Sequence, residues 1–152
     1  MQGILDRENF AQVGYVVHDI ETTKRMFAAL LGVDVPDTVE CGSAAAETEY
    51  LGKPAPDAKS KLAFFNLKSG VQLELIEPNE YPSTWHDDLA RKGEGIHHIA
   101  FQVKDMDQVV AKCEEAGMTV LQKGFYDDRS GRYVYLDGNN DYKCVIELLE
   151  SF

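Results

Sequence analysis

The chain carries one pattern twice. "QVGYVVHDIETTKRMFAALLGV" begins at Gln12 and "HIAFQVKDMDQVVAKCEEAGM" begins at His98. Laid one over the other, Val13 falls on Ile99, Tyr15 on Phe101, Val17 on Val103 and Asp19 on Asp105, with Gly32 close to Gly117. Each copy is an alternating apolar run, an Asp, a segment of helical period and a Gly. A repeat of this size is one supersecondary unit, and copies bury their apolar faces together.

The helices carry start and stop signals. Asp105 stands at an N-cap with Gln108 three residues on, a capping-box-like pair. Met106, Val109, Val110 and Cys113 then recur as one apolar stripe, and Gly117 suits a left-handed C-cap. In the first copy Asp19 caps, Ile20, Met26, Phe27 and Leu30 form the stripe, and Gly32 stops it. Strand-like runs follow each helix, at 47–51, 61–67 and 71–77 and again at 119–125, 132–136 and 144–149. "KSG" and "DGNND" are turn chemistry between the last two runs of each half. Each half therefore reads β-α-β-β-β, an α+β chain of two βαβββ units. The expected layout is one domain over 1–152: a first unit at 8–78, a linker at 79–94 and a second unit at 95–150. Within the linker Ser83 caps a short helix that runs to Arg91. The loop-rich "CGSAAAETEYLGKPAPDAKS" has the character of a pocket frame.

Composition narrows the function classes. Hydrophobic residues make up 44% of 152, enough for a core. A net charge of -11 repels nucleic acid and anionic membrane surfaces, so neither is an expected partner. No apolar run approaches the length of about 18 residues that a membrane span needs. "MQGILDRENF" lacks the features of a secretory signal, and a cytoplasmic location is expected. Cys41, Cys113 and Cys144 form no CxxC pair and fit buried thiols better than a disulfide frame or a zinc knuckle.

The histidine pair in "GIHHIAFQVKD" raises the chemical question. Neighbours on a strand face opposite ways, so His97 shares its face with Ile99, Phe101 and Val103, and His98 shares the other with Ala100 and Gln102. Gln12 is the positional twin of His98. The closing strands "VQLELIEP" and "KCVIELLE" carry Glu74 and Glu147, the latter between Val145 and Leu149. Taken singly, each of these polar residues fits a solvated sheet face or a satisfied strand histidine. Twinned placement points instead to convergence about a pseudo-twofold axis. The mixed set Gln12, Glu74, His98 and Glu147 suits a divalent ion, with positions left for water or substrate. His97 and Tyr15 face the helices, and His18 and His86 read as surface residues. Arg129, Arg132, Tyr133 and Tyr135 in "DDRSGRYVYLDG" are weaker candidates, with Arg132 placed to bind a substrate carboxylate or phosphate. Trp85 is a lid or a packing anchor.

On these residues the chain resembles the vicinal oxygen chelate superfamily, which includes glyoxalase I, methylmalonyl-CoA epimerase, extradiol dioxygenases and bleomycin-resistance proteins. The resemblance runs from about Phe10 to Leu149. "GEGIHHIAFQVKDMD" and "VQLELIEP" are most similar to the epimerases. It implies paired βαβββ units in a cup-shaped, curved mixed sheet with helices outside, around a divalent metal: zinc, nickel, cobalt or manganese. The ligands it implies are Gln12, Glu74, His98 and Glu147, a set resembling that of eukaryotic-type glyoxalase I, with Glu147 as catalytic base. Val16 and Pro78 stand where that enzyme's glutathione contacts would match, so glutathione is not expected. The epimerase's second carboxylate matches Leu62, which leaves Glu49 or Tyr50 as replacements. Extradiol dioxygenases need two His and one Glu, and one of those His is missing. The expectation is a metal-dependent lyase, isomerase or epimerase of a small carbonyl compound. The enzyme would remove the proton beside the carbonyl, with the metal stabilising the enediolate oxygen. Arg132, Tyr135, Tyr50 and Glu49 are the expected substrate contacts, and a homodimer is expected. The alternatives are a non-catalytic binder that sequesters a small molecule, or a ring-cleaving dioxygenase.

Overall fold

Alternating apolar residues make strands only if something pairs with their edges, and here the two copies pair with each other. In a computed structural model describing residues 2–152, β1 (Phe10–Val16) lies antiparallel to β7 (Gly95–Gln102). Each is flanked on its far edge by the closing strand of its own half, in parallel: β1 by β6 (Gln72–Pro78) and β7 by β10 (Val145–Ser151). The remaining strands are β2 (Val39–Cys41), β3 (Glu49–Tyr50), β4 (Lys53–Pro54), β5 (Ser60–Asn66), β8 (Val120–Phe125) and β9 (Gly131–Leu136). All ten form one curved sheet in the order β2-β5-β6-β1-β7-β10-β9-β8-β3-β4.

One strand belongs to a different place from its expected one. The run at 47–51 forms only β3, because Leu51 and Gly52 both adopt left-handed backbone and turn the chain back into β4. β3 pairs with β8 of the second half, and β2 takes the position beside β5. The first half thus reaches across and closes over the second.

Three helices cover the sheet: α1 (Ile20–Leu31), α2 (Thr84–Lys92) and α3 (Met106–Glu115). α1 and α3 seal two cores, one around Ile20, Ala28, Phe65 and Leu75, the other around Met106, Cys113, Leu136 and Leu148. α2, capped by Ser83 through the His86 N–H, packs across β1, β6 and β7 with Trp85 and Leu89 against Val16, Ile76 and Val145. No helix among the described residues is long and apolar enough to cross a membrane.

The α1 stripe differs from expectation. Met26 and Leu30 are 67% and 79% exposed, and the buried face is Ile20, Lys24 and Ala28. The reason is Lys24: its stem lies on the core while its ammonium reaches Thr38 Oγ1 (2.8 Å) and Glu21 (2.9 Å). A buried lysine reads as a break in an apolar stripe, which shifts the apparent face.

The α3 cap also differs. Asp105 is left-handed and its side chain bonds no helix N–H. Glu150 of β10 does this instead, accepting from the Met106 N–H at 3.1 Å while Arg132 Nε donates to its other oxygen at 2.7 Å. The first half repeats the device beside its Asp19 cap: Glu77 of β6 accepts from the Ile20 N–H at 2.9 Å and meets Lys61 at 3.4 Å. A carboxylate at a helix start satisfies an orphan donor and opposes the positive end of the helix dipole. Replacing Glu150 with Ala should therefore lower stability by about 1 kcal/mol or more. Urea denaturation would show this as a lower midpoint with an unchanged slope.

Candidate metal and substrate site

The sheet register brings the four twinned polar residues together. In the β6–β1–β7 stretch Gly14 lies opposite Glu74 on one side and opposite His98 on the other. Ala100 lies opposite Gln12 on one side and Glu147 on the other. Gly14 and Ala100 are themselves twins in the repeat. Their small side chains leave a hollow at the local twofold, and four longer side chains lean into it from the flanking positions. Gly14 has no room for more: a methyl group there would overlap the His98 imidazole ring. A glycine inside a strand marks such a close approach, and this is the sequence signal for the hollow that the pattern of polar residues alone does not give.

The side chains meet. His98 Nε2 lies 2.8 Å from Gln12 Oε1, 2.9 Å from Glu147 Oε2 and 3.3 Å from Glu74 Oε2. All four residues are buried. The imidazole and the two carboxylates offer ligand atoms within 4.8 Å of one another. Gln12 is oriented by a relay: its Nε2 donates to Gln72 Oε1 at 2.6 Å, and Gln72 Nε2 donates to Asn66 Oδ1 at 2.9 Å. Turned the other way, the same amide presents its nitrogen to the Glu74 and Glu147 carboxylates at 3.1 and 3.0 Å and donates to both. The nitrogen-inward amide satisfies the metal-free cluster, whereas the oxygen-inward amide needs a cation or a proton among the acceptors. Three hard oxygens and an imidazole nitrogen fit a divalent metal ion such as zinc, manganese, cobalt or nickel.

Protons occupy that role when no cation does. Burial pulls the His98 pKa down, but Glu147 and Glu74 beside it outweigh burial and raise it to about 10. Burial also raises the Glu74 pKa, against the pull of His98. Behind His98 lies His97, whose Nδ1 is 2.9 Å from His98 Nδ1 and whose Nε2 is 3.1 Å from Thr84 Oγ1 on α2. Burial, and then the charge of His98, hold His97 well below the ordinary imidazole value. His97 thus faces α2 as the strand pattern expects, but through a polar contact.

The cluster forms the floor of a cavity of about 530 Å³. Aromatic side chains from both halves line it, among them Phe64, Trp85, Tyr133 and Tyr135. Trp85 is a packing anchor with an edge on the cavity: it is buried and its Nε1 donates to Tyr135 OH at 3.0 Å. Across the mouth, the Asp127 carboxylate accepts from the Gly42 and Ala44 N–H groups, which fastens the loop of the first half to the turn of the second. Leu62 lines the wall.

Of the other sequence candidates, Tyr135 lines the cavity with its ring 5.3 Å from that of His98. Arg132, Glu49 and Tyr50 do not line it. Arg132 pairs with Glu150 and Asp107 beside the start of α3, Glu49 meets Lys123 at 3.2 Å, and Tyr50 OH donates to Asp87 at 2.6 Å. His18 is exposed and His86 is half-buried beside Asp87. Pattern reading passed over Gln72, Gly14, Ala100 and Asp127, whose roles are set by the register and the loop closure rather than by alternation.

Comparison with known proteins agrees with this architecture. Residues 11–136 match the model of the Glyoxalase/Bleomycin resistance protein/Dioxygenase superfamily. The uncharacterised protein YqjC of Bacillus subtilis (strain 168) is 51% identical over 95 residues, covering 62% of this chain and 67% of that protein. Among solved structures, a variant of Streptomyces coelicolor methylmalonyl-CoA epimerase in complex with 2-nitronate-propionyl-CoA is 25% identical, with a TM-score of 0.65 over 94% of this chain and 96% of that one. Methylmalonyl-CoA epimerase from Mycobacterium tuberculosis shares the fold at 18% identity, with a TM-score of 0.70 over 100% of this chain and 93% of that one.

The site predicts a pH response in the metal-free protein. A His98 pKa raised from 6.5 to about 10 means that its contribution to stability is full below 6.5 and is lost as the pH rises through about 10. The raised Glu74 pKa acts in the same direction. NMR titration should find the His98 ring titrating near 10, and the urea midpoint should fall over that window. In Glu147→Gln the His98 midpoint should move down, since its main stabilising charge is gone.

Proposed function

Because the chain belongs to the Glyoxalase/Bleomycin resistance protein/Dioxygenase superfamily, we propose that it is a metal-dependent isomerase or lyase that removes the proton beside a carbonyl group of a small molecule. The observation that carries this reading is the buried convergence of Gln12, Glu74, His98 and Glu147 on the floor of an aromatic-walled cavity. A bound divalent cation supplies Lewis-acid stabilisation of negative charge developing on a substrate oxygen.

The residues divide the remaining work. Gln12, Glu74 and His98 would hold the ion, with the Gln12 amide turned so that its oxygen faces it. Glu147 serves as both ligand and base. Its strand neighbours Val145 and Leu149 keep water from it, and it opens on the cavity where the substrate carbon would lie. A proton taken there can be returned at the neighbouring carbon by the same carboxylate. Leu62 on the wall offers no second base opposite Glu147, which favours a one-base transfer over a two-base epimerisation. Phe64, Trp85, Tyr133 and Tyr135 exclude water and present faces suited to a flat or ring-like body.

The cavity also speaks to substrate charge. Glu74, Glu147, Asp127 and Asp128 line it, in a chain of net charge -11. That field favours a substrate uncharged outside its chelating oxygens over the multiply anionic CoA thioester held by the Streptomyces coelicolor epimerase. Val16 and Pro78, at the positions matching the glutathione contacts of glyoxalase I, weigh against a glutathione conjugate.

Two measurements test the proposal. Elemental analysis should find about one divalent ion per chain in the wild type and a large loss in His98→Ala; equal content in both removes the metal site, and no metal in either leaves a non-catalytic binder. With metal loaded, exchange of the α-proton of uncharged hydroxyketones in deuterated water should proceed faster than that of acyl-CoA thioesters. Glu147→Gln should slow this exchange by roughly 10²–10⁴-fold while retaining most of the metal. Unchanged exchange in that variant would move the base elsewhere.

A further inference from the structure

His97 is absent from the ligand set and does not itself line the cavity, yet it is buried to 1% exposure and its ring stands edge-on to that of His98, with centroids 5.1 Å apart. We propose that His97 is a positioning residue that fixes the proton of His98 on Nδ1 and so directs the Nε2 lone pair of His98 at the metal cluster. The proposal rests on the metal-site reading for its purpose, but the proton placement it asserts is measurable without metal.

The argument is one of donors and acceptors. The two Nδ1 atoms are 2.9 Å apart, a hydrogen-bond distance, and one proton can lie between them. There are two arrangements. In the first, His98 Nδ1–H donates to His97 Nδ1. His97 then carries its proton on Nε2 and donates it to Thr84 Oγ1 at 3.1 Å, with Asp88 Oδ2 at 3.8 Å behind. In the second, His97 Nδ1–H donates to His98 Nδ1, so a neutral His98 must carry its proton on Nε2. That atom faces Gln12, Glu74 and Glu147, and a proton there blocks the lone pair a cation needs.

The surroundings of His97 select the first arrangement. The Thr84 hydroxyl can either accept or donate at His97 Nε2, so the choice falls to the Asp88 carboxylate 3.8 Å away, whose field favours a donor at that point. Arg91 at 2.8 Å and Lys92 at 3.5 Å hold that carboxylate. The backbone anchors the other end: the Thr84 N–H donates to the buried Gln122 side chain at 2.9 Å, so Thr84 is fixed independently of His97. The first arrangement also serves both states of the cluster. A doubly protonated His98 and a neutral, ligating His98 each carry the Nδ1 proton, so His97 keeps the same role when a cation replaces the proton on Nε2. A ligating histidine needs a partner for its other nitrogen, and that partner sets tautomer and ring orientation. Here the partner is the preceding residue on the same strand, which faces the opposite side of the sheet.

Nitrogen-15 NMR of the histidine rings in the wild-type protein tests the placement directly. The expected result is a protected proton on His98 Nδ1 and a bare His97 Nδ1, with and without added cobalt or zinc. A proton found on His97 Nδ1 overturns the proposal whatever the metal content. Variants test the consequence. His97→Phe keeps the ring volume and removes the acceptor, and its affinity for zinc should fall by about 10–100-fold. His97→Asn puts an amide oxygen close to the place of Nδ1, and should recover most of that loss and the His98 Nδ1–H signal. Equal weakening in the two variants, with circular dichroism unchanged, assigns His97 to packing alone and overturns the proposal. Wild-type protein that binds no zinc defeats the metal-site reading instead, a result distinct from the NMR one.

Discussion

The antiparallel pairing of β1 with β7 is the constraint on which the rest depends. It is the seam between the two copies of the repeat, and it sets the local twofold axis. Every position in the proposed ligand set follows from it: Gln12 and His98 sit on the two seam strands, and Glu74 and Glu147 on the strands that flank them in parallel. Gly14 and Ala100, paired with these residues across the seam, decide whether the hollow exists. A sheet with ordinary residues at those two points would fill it, and the four polar groups would have to turn toward solvent. The site is therefore a property of the pairing, and neither half contains it alone.

Burying this cluster is costly, and the structure shows how the cost is contained. Two carboxylates and an imidazole with almost no exposure would strongly destabilise the sheet if unpaired. His98 contributes a positive charge when protonated, and a divalent cation contributes more. The outer supports are neutral and hydrogen-bonded: Asn66 and Gln72 behind Gln12, and His97 and Thr84 behind His98. Each fixes an orientation without adding net charge. Around them, α2 and the aromatic wall keep water away from one side, and the Asp127 fastening brings the two halves together over the other.

Much of this was legible in the sequence because a repeat doubles each signal. The strand-helix-strand order, the α2 cap at Ser83 and the twin polar positions all follow from alternation, caps and the overlay of Gln12 on His98. What was hidden has physical reasons. Lys24 disguised the buried face of α1 because its long stem packs like an apolar residue. Asp105 does not cap because its backbone is left-handed, and Glu150, from another strand, meets the first helix N–H instead, a partner that local sequence cannot report. β3 pairs outside its own half because its two residues gain their partner in β8 through loop closure. Arg132 reads as a binding residue until its partners Glu150 and Asp107 are known. In each case a tertiary partner replaced the local one that pattern reading supplies.

The two halves have also diverged where symmetry would hinder chemistry. A strictly symmetric cluster would leave its two carboxylates equivalent, with no reason for one to hold the ion and the other to accept a proton. Here the twins differ. The first copy offers an amide backed by further side-chain amides; the second offers an imidazole backed by a second imidazole on the same strand. His98 consequently leans toward Glu147, at 2.9 Å, and away from Glu74, at 3.3 Å. The cavity walls follow the same bias, with Tyr133 and Tyr135 coming from β9, the neighbour of the Glu147 strand. Divergence of the ligands thus makes the carboxylates unequal. This inequality, rather than the fold, would give the proposed one-base mechanism its direction.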